Sequence, residues 1–276
     1  MKIAITGYSG FLGKAVSRLL APYNPYLIRT LDVFDQIQGS IDVIIHLAGK
    51  TDGLYASQGH PASILHTNVS LLDQIYQIAV KKNVRRMILA SSVCAYPDKQ
   101  QVLVEEGLWN GLPNVGNEAY GIAKRLMDVY ARSYHKEFGI TSCVLLFANL
   151  YGPGDKSSHV IPDLIRSARR NSLRLADSGA ASRDFLHVED AAAAVECCVK
   201  KFNAGRYNVG SGHSVVISKV AQFIAGYIGC DLGGPHKFLI HGTAKRVIDS
   251  TSFRETFGWA PKKDFWVELG ELCKEQ

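Results

Sequence analysis

Runs of apolar, often β-branched residues punctuate the first half of the chain: KIAIT, PYLIRT, DVIIHLA, RRMILAS and TSCVLLF. Their apolar positions are mostly consecutive, so each run reads as a strand covered on both faces, as in a parallel sheet. Between the runs the period lengthens. NVSLLDQIYQIAVKKN brings Val69, Leu72, Ile75, Tyr76 and Ala79 to one helical face, and YGIAKRLMDVYARSYHKEFG does the same before Gly139 stops it. Strand alternating with helix predicts an α/β protein, a Rossmann-type doubly wound parallel sheet.

After about residue 150 the rhythm loosens, with Pro153, Pro162 and several glycines between shorter elements. Residues 1–150 therefore read as the sheet domain and 151–276 as a smaller C-terminal lobe, some of whose chain returns to the sheet. The returning segment is HVEDAAAAVECCVKKF, a helix whose alanines permit close packing and whose Cys197 and Cys198 read as small core residues.

Composition narrows the class of function. The chain has 276 residues, 47% hydrophobic and 20% charged, which is ordinary for a globular protein. No apolar run approaches the roughly 20 residues of a membrane span. Glycines interrupt the N-terminal MKIAITGYSGFLG, so no signal peptide is expected and a cytoplasmic location is. The six cysteines form no CxxC pair, which predicts reduced thiols and no metal site. A net charge of +6 comes from scattered basic pairs, such as Lys81 with Lys82 and Arg169 with Arg170. No basic block stands out, so nucleic acid is not the expected partner; a solvated basic face, or attraction to an anionic small substrate, is.

The first strand runs into TGYSGFLG, which sets Gly7, Gly10 and Gly13 at intervals of three, with Phe11 and Leu12 opening the next helix. This is a phosphate-binding turn: Gly7 for the tight turn, Gly10 for close approach of a pyrophosphate, Gly13 for packing the helix on the strand. A dinucleotide is the implied cofactor. Its type depends on the end of the second strand, where Arg29 suits a 2′-phosphate, so NADP(H) is expected over NAD(H). Asp32 then meets the adenine edge. The third strand ends HLAGK, and Leu47 with the small Ala48 and Gly49 lets the cofactor backbone pass.

The strand RRMILASS delivers Ser92 to its carboxyl end, where open α/β sheets bind ligands. Tyr120 and Lys124 sit one turn apart on a helix, and a lysine beside a phenol favours the phenolate, so Tyr120 is expected to exchange a proton near neutrality. Ser92 would hold a substrate oxygen against it.

TGYSGFLG, HLAG, SSVCAYP, YGIAK, NLYGP and RDFLHVED together resemble the extended short-chain dehydrogenase/reductases that act on nucleotide sugars, over nearly the whole chain. SSVCAYPDK, SHVIPDLI and LIRT resemble the branch that inverts the carbons beside a ketone and then reduces it, on a GDP-linked 4-keto-6-deoxy sugar. That resemblance implies Cys94 and His159 as base and acid at C3 and C5, with Ser92, Tyr120 and Lys124 serving NADPH-dependent reduction at C4. It further implies that Tyr120 and Lys124 meet the cofactor, that Asn149, His159, Arg183 and Lys245 meet the nucleotide-diphosphate sugar, and that the chain forms a homodimer through the helices near 69–80 and 120–138. The domains 1–150 and 151–276 would then bind NADP(H) and the nucleotide sugar respectively.

Two departures bear on this expectation. The stretch from YGPGD to SHVIP is shorter than in that branch, and Ala244 replaces its proline. A plain 4-ketoreductase and an NAD-dependent 4-epimerase use Ser92, Tyr120 and Lys124 without Cys94 or His159. A catalytically silent cofactor-sensing or RNA-binding scaffold is the alternative of another class.

Overall fold

A computed structural model describes residues 1–51, 59–175, 178–234 and 245–274; Ala244 lies outside them. The apolar runs of the first half form β1 (Ile3–Thr6), β2 (Tyr26–Ile28), β3 (Val43–His46), β4 (Arg86–Ser92) and β6 (Thr141–Phe147). With β9 (Gly205–Val209) they make a six-stranded sheet in the order β2-β1-β3-β4-β6-β9. Every pairing in it is parallel.

Parallel strands need crossovers, and the helices supply them on both faces. On one face lie α1 (Phe11–Leu19) and α6 (Val188–Lys200), over a core that includes Ile3, Ile5, Val16, Leu145 and Val195. On the other lie α3 (Pro61–Lys81) and α4 (Glu118–Phe138), over Ile44, Leu72, Ile75, Tyr76 and Met127. The short α2 (Val33–Gln36) follows β2. Burial on both faces is why these strands carry consecutive apolar residues. The doubly wound α/β architecture follows, with its crevice at the carboxyl ends of the strands.

A third core lies in the later chain, around Tyr151, Ile161, Leu164, Val220, Ile224 and Leu269. It is made by α5 (Val160–Arg169), α7 (Ile217–Ile228) and α9 (Phe265–Lys274). Here β7 (Asn149–Tyr151) and β10 (Ser214–Val216) flank β8 (Ser182–His187) in a separate three-stranded sheet. α8 (Thr251–Phe257) instead packs beside β9 through Phe253 and Phe257, which meet the Tyr207 ring edge-on.

A two-stranded parallel pair stitches the chain's middle to its end: β5 (Val102–Leu103) with β11 (Val247–Ile248). The pair is anchored from β8, because Asp184, 3% exposed, accepts bonds from the amides of Ser211, Gly212 and Ile248. Four donors, counting the Ser211 hydroxyl, hold this carboxylate, although burial pushes its pKa up. No helix among the described residues is long and apolar enough to cross a membrane.

Candidate active site

At the amino end of the crevice, Gly7 has φ +73° and lies flush against the exit of β3; a Cβ there would fall 2.4 Å from the Ala48 amide nitrogen. Only glycine fits on both counts. Gly10 then opens α1 in extended conformation with no side-chain cap among the described residues, so the helix start presents the first-turn amides of Phe11, Leu12 and Gly13 to an anion. Beside this turn is a cleft of about 480 Å³ bordered by Thr6, Gly7, Arg29, Thr30, Asp32 and Ala48. Arg29 and Asp32 are both exposed in it. First-turn amides, a basic side chain at the end of β2 and a small-residue exit from β3 fit a dinucleotide.

The exit of β3 is tied down by residues that sequence reading missed. His46 is 1% exposed, its Nδ1 lies 2.8 Å from Thr6 Oγ1, and burial, then the Lys124 charge, pushes its pKa down to about 3. It is neutral. Asn68 of α3 accepts from the Lys50 amide at 3.1 Å and donates to the Lys50 carbonyl at 3.0 Å. Gly49 lies directly beside Asn68 Oδ1 and Lys124 Nζ.

The carboxyl end of β4 and the start of α4 bring Ser92, Cys94, Tyr120 and Lys124 together. Lys124, 6% exposed, donates to the Ala90 carbonyl at 2.8 Å, and its Nζ stands 5.7 Å from the Tyr120 ring centroid. Burial pushes the Lys124 ammonium down to about 8, and the Cys94 thiol partly restores it. The Tyr120 hydroxyl bonds to Ser92 and Thr51, yet burial, followed by the Cys94 thiol, pushes its pKa above the ordinary value. The expected phenolate is therefore corrected: desolvation is the largest influence on the hydroxyl, and Tyr120 stands as a proton donor. Lys124 remains mostly charged at neutral pH.

After Ser92 the chain tightens into a single 3₁₀ turn, Val93–Ala95, in which Ser92 Oγ accepts from the Cys94 amide at 3.2 Å. Cys94 is half-buried. The first turn of α4 presses on it, since a Cβ on Gly121 would fall 2.5 Å from the Cys94 carbonyl oxygen. Tyr120, Lys124 and Arg246 interact electrostatically with its thiol.

The other candidates come from the later chain. Asn149 is half-buried on β7, paired with Phe185. Arg183, on β8, donates to the Ser182 carbonyl at 2.8 Å. Lys245 is exposed, whereas its neighbour Arg246, which no reading of composition or spacing distinguishes from it, is 7% exposed. His159 is the N-cap residue of α5, with 40% of its side chain exposed. Its partners are local: its amide donates to Ser157 Oγ at 3.2 Å, and its Nδ1 lies 3.8 Å from Asp155 Oδ2, an ion-pair distance too long for a hydrogen bond. Burial raises the Asp155 carboxyl, but interactions with His159 and Ser157 outweigh it and hold its pKa below the ordinary value. Asp155 is another residue that sequence reading missed.

A crevice at the carboxyl ends of a doubly wound sheet, with a phosphate turn and a Ser, Tyr, Lys cluster, defines a nicotinamide-dependent enzyme of the short-chain type. Residues 28–210 match the NAD dependent epimerase/dehydratase family, and the chain belongs to it. The relatives are more particular. A putative GDP-L-fucose synthase 2 of Oryza sativa subsp. japonica is 31% identical, over 95% of this chain and 82% of the relative. The GDP-L-fucose synthase of Escherichia coli (strain K12) is 28% identical, over 94% of this chain and 91% of its own. Among solved structures, a UDP-glucose 4-epimerase with UDP-glucose from Thermotoga maritima superposes with a TM-score of 0.85 at 21% identity, covering 99% of this chain and 98% of that one. The chain is an enzyme of the nucleotide-sugar epimerase/reductase kind.

Proposed function

We propose that this enzyme inverts C3 and C5 of a GDP-linked 4-keto-6-deoxy hexose and reduces C4 with NADPH, as the name of its GDP-L-fucose synthase relatives suggests. The observation that carries the reading is Cys94: a half-buried thiol on the turn leaving Ser92, in electrostatic contact with Tyr120, Lys124 and Arg246. A simple reductase has no use for a thiol there.

Residues 1–150 would hold the cofactor and residues 151–276 the nucleotide sugar. The amides of Phe11, Leu12 and Gly13 would receive the pyrophosphate, Arg29 the 2′-phosphate, Asp32 the adenine edge, and Lys124 with Tyr120 the nicotinamide ribose. A bound nicotinamide supplies the hydride that C4 receives. Ser92 bonds to the C4 carbonyl oxygen, and Tyr120, kept protonated by burial, gives that oxygen its proton. Lys124, charged at neutral pH, offsets the negative charge left on Tyr120.

Epimerisation comes first. Protons on carbons beside the ketone are acidic, so the Cys94 thiolate takes one and leaves an enolate, and His159 returns one to the opposite face. Cys94 ends protonated and His159 deprotonated, and exchange with water resets both. Asn149 and Arg183 would hold the sugar and diphosphate, with Lys245 at the nucleotide.

The test is to incubate the protein with NADPH and GDP-4-keto-6-deoxy-D-mannose in heavy water and locate deuterium in the product by NMR. Deuterium at C3 and C5 of a reduced sugar is the expected result. Reduction without deuterium would instead make the protein a 4-ketoreductase, a reading favoured by the half-exposed His159 on its shortened loop.

A further inference from the structure

Arg246 stands just before β11, 153 residues from Val93 in the chain, yet its guanidinium grips the turn that carries Cys94 from both sides. One nitrogen donates to the Val93 carbonyl at 2.9 Å and another to the Pro97 carbonyl at 3.4 Å. The side chain is buried, and its Nε has no hydrogen-bond partner among the described residues. A cation buried with a donor unmet is costly unless its charge serves a neighbour.

Its neighbours identify that use. Burial pushes the Arg246 guanidinium down, and the Cys94 thiol, ahead of the Asp98 carboxylate, draws it back up. A guanidinium nonetheless stays charged at any pH the enzyme meets. Among the described residues, the other groups that interact with the Cys94 thiol are on α4: Tyr120, which burial keeps neutral, and Lys124, whose charge fades as the pH passes about 8. Ser92 meets the Cys94 amide. Asp98, whose carboxylate also accepts from Asn114 Nδ2 at 2.9 Å, is the negative group beside Arg246. Arg125 of α4 is a second buried guanidinium on this turn, its Nε donating to the Ala95 carbonyl at 2.8 Å, but burial alone shifts it and Cys94 has no share in that shift. Among the described residues, the permanent positive charge that interacts with the thiol is therefore that of Arg246.

We infer that Arg246 is the positioning residue that makes Cys94 a base: it fixes the Val93–Pro97 turn and supplies the constant charge that holds the thiolate beside the sugar. This rests on the proposed epimerase role of Cys94. A carbon acid is deprotonated by the thiolate and not by the thiol, and thiolates persist where a fixed cation lies near. Merely closing the turn would need donors, not a charge.

The experiment measures how fast iodoacetamide alkylates Cys94 at pH 7, by mass spectrometry of its peptide, in the wild type, Arg246→Met and Arg246→Lys. Deuterium entry at C3 and C5 is followed in the same proteins. Arg246→Met should slow both by about tenfold or more. Arg246→Lys, which keeps the charge, should stay within about threefold of the wild type. Should Arg246→Met fail to fold, the wild type still decides: Cys94 should react faster than Cys230, half-buried like it but followed by an aspartate, Asp231. Equal reactivity of those two thiols, or alkylation unchanged in a folded Arg246→Met, overturns the inference and leaves the role of Cys94 standing. A fall in alkylation alongside a wild type that takes up no deuterium overturns the epimerase reading, and this inference with it.

Discussion

Cys94 and His159 would have to act as a pair, yet the fold holds them in opposite ways. Cys94 rides a turn that carries a local bond, Ser92 Oγ on its amide, but is clamped by distant regions of the chain as well: Arg246 across it and α4 pressed on its carbonyl. His159 rides a loop anchored by groups close in the chain, Asp155 and Ser157 and, on the Ser157 carbonyl, Arg166, and much of its ring is open to solvent. One position is built by tertiary structure and the other by local chain geometry. A base needs a tuned environment, because the thiolate must be stabilised against its own protonation. An acid that is re-protonated from water gains from standing near water, and the loop supplies that at little cost in chain entropy.

If this contrast is functional, the two positions should respond unequally to substitution. Cys94→Ser should have the largest effect, lowering deuterium entry at C3 and C5 by about 10²–10⁴-fold while ketone reduction continues, as read by NMR and by NADPH absorbance. His159→Gln should cost less, about 10–10²-fold in deuterium entry, because an exposed position admits water as the donor. A loss equal to that of Cys94→Ser would mean that the loop buries its imidazole once the sugar is bound.

The smallest effect belongs to Asp155→Asn. The Asp155 side chain is 5% exposed and its carboxyl is held below the ordinary value of 3.8, so it contributes stability that is complete above that value. That contribution drains as the pH falls through the lower folded value. The variant should therefore melt about 2 °C below the wild type at pH 7, and the two curves should converge under acid conditions. A gap that persists in acid would give Asp155 a packing role and leave the His159 loop without its electrostatic anchor.

Much of this was legible along the chain. Gly7 could be read because the phosphate turn, with its positive φ, is a local structure; its contact with Ala48, at the exit of another strand, is tertiary. The strands and helices of the first half could be read because burial on both faces of a parallel sheet leaves consecutive apolar runs. Tyr120 and Lys124 share a helical face by spacing alone. Their protonation was not legible: the phenolate expectation counted one nearby charge, whereas desolvation of the hydroxyl in the crevice is the larger effect. Arg246 could be read only as a basic neighbour of Lys245, and Asp155 was missed, for a related reason: nothing in their spacing tells a buried charge from an exposed one.

The sequence by itself determined the class of fold, the dinucleotide turn and which side chains are available for proton transfer, since these depend on periodicity and short spacings. Tertiary structure alone decided that Arg246 is buried against Cys94 while the adjacent Lys245 faces water. It alone decided that Tyr120 keeps its proton and that His46 is neutral. The reason is physical: charge and burial act through space, over distances that separation along the chain does not encode.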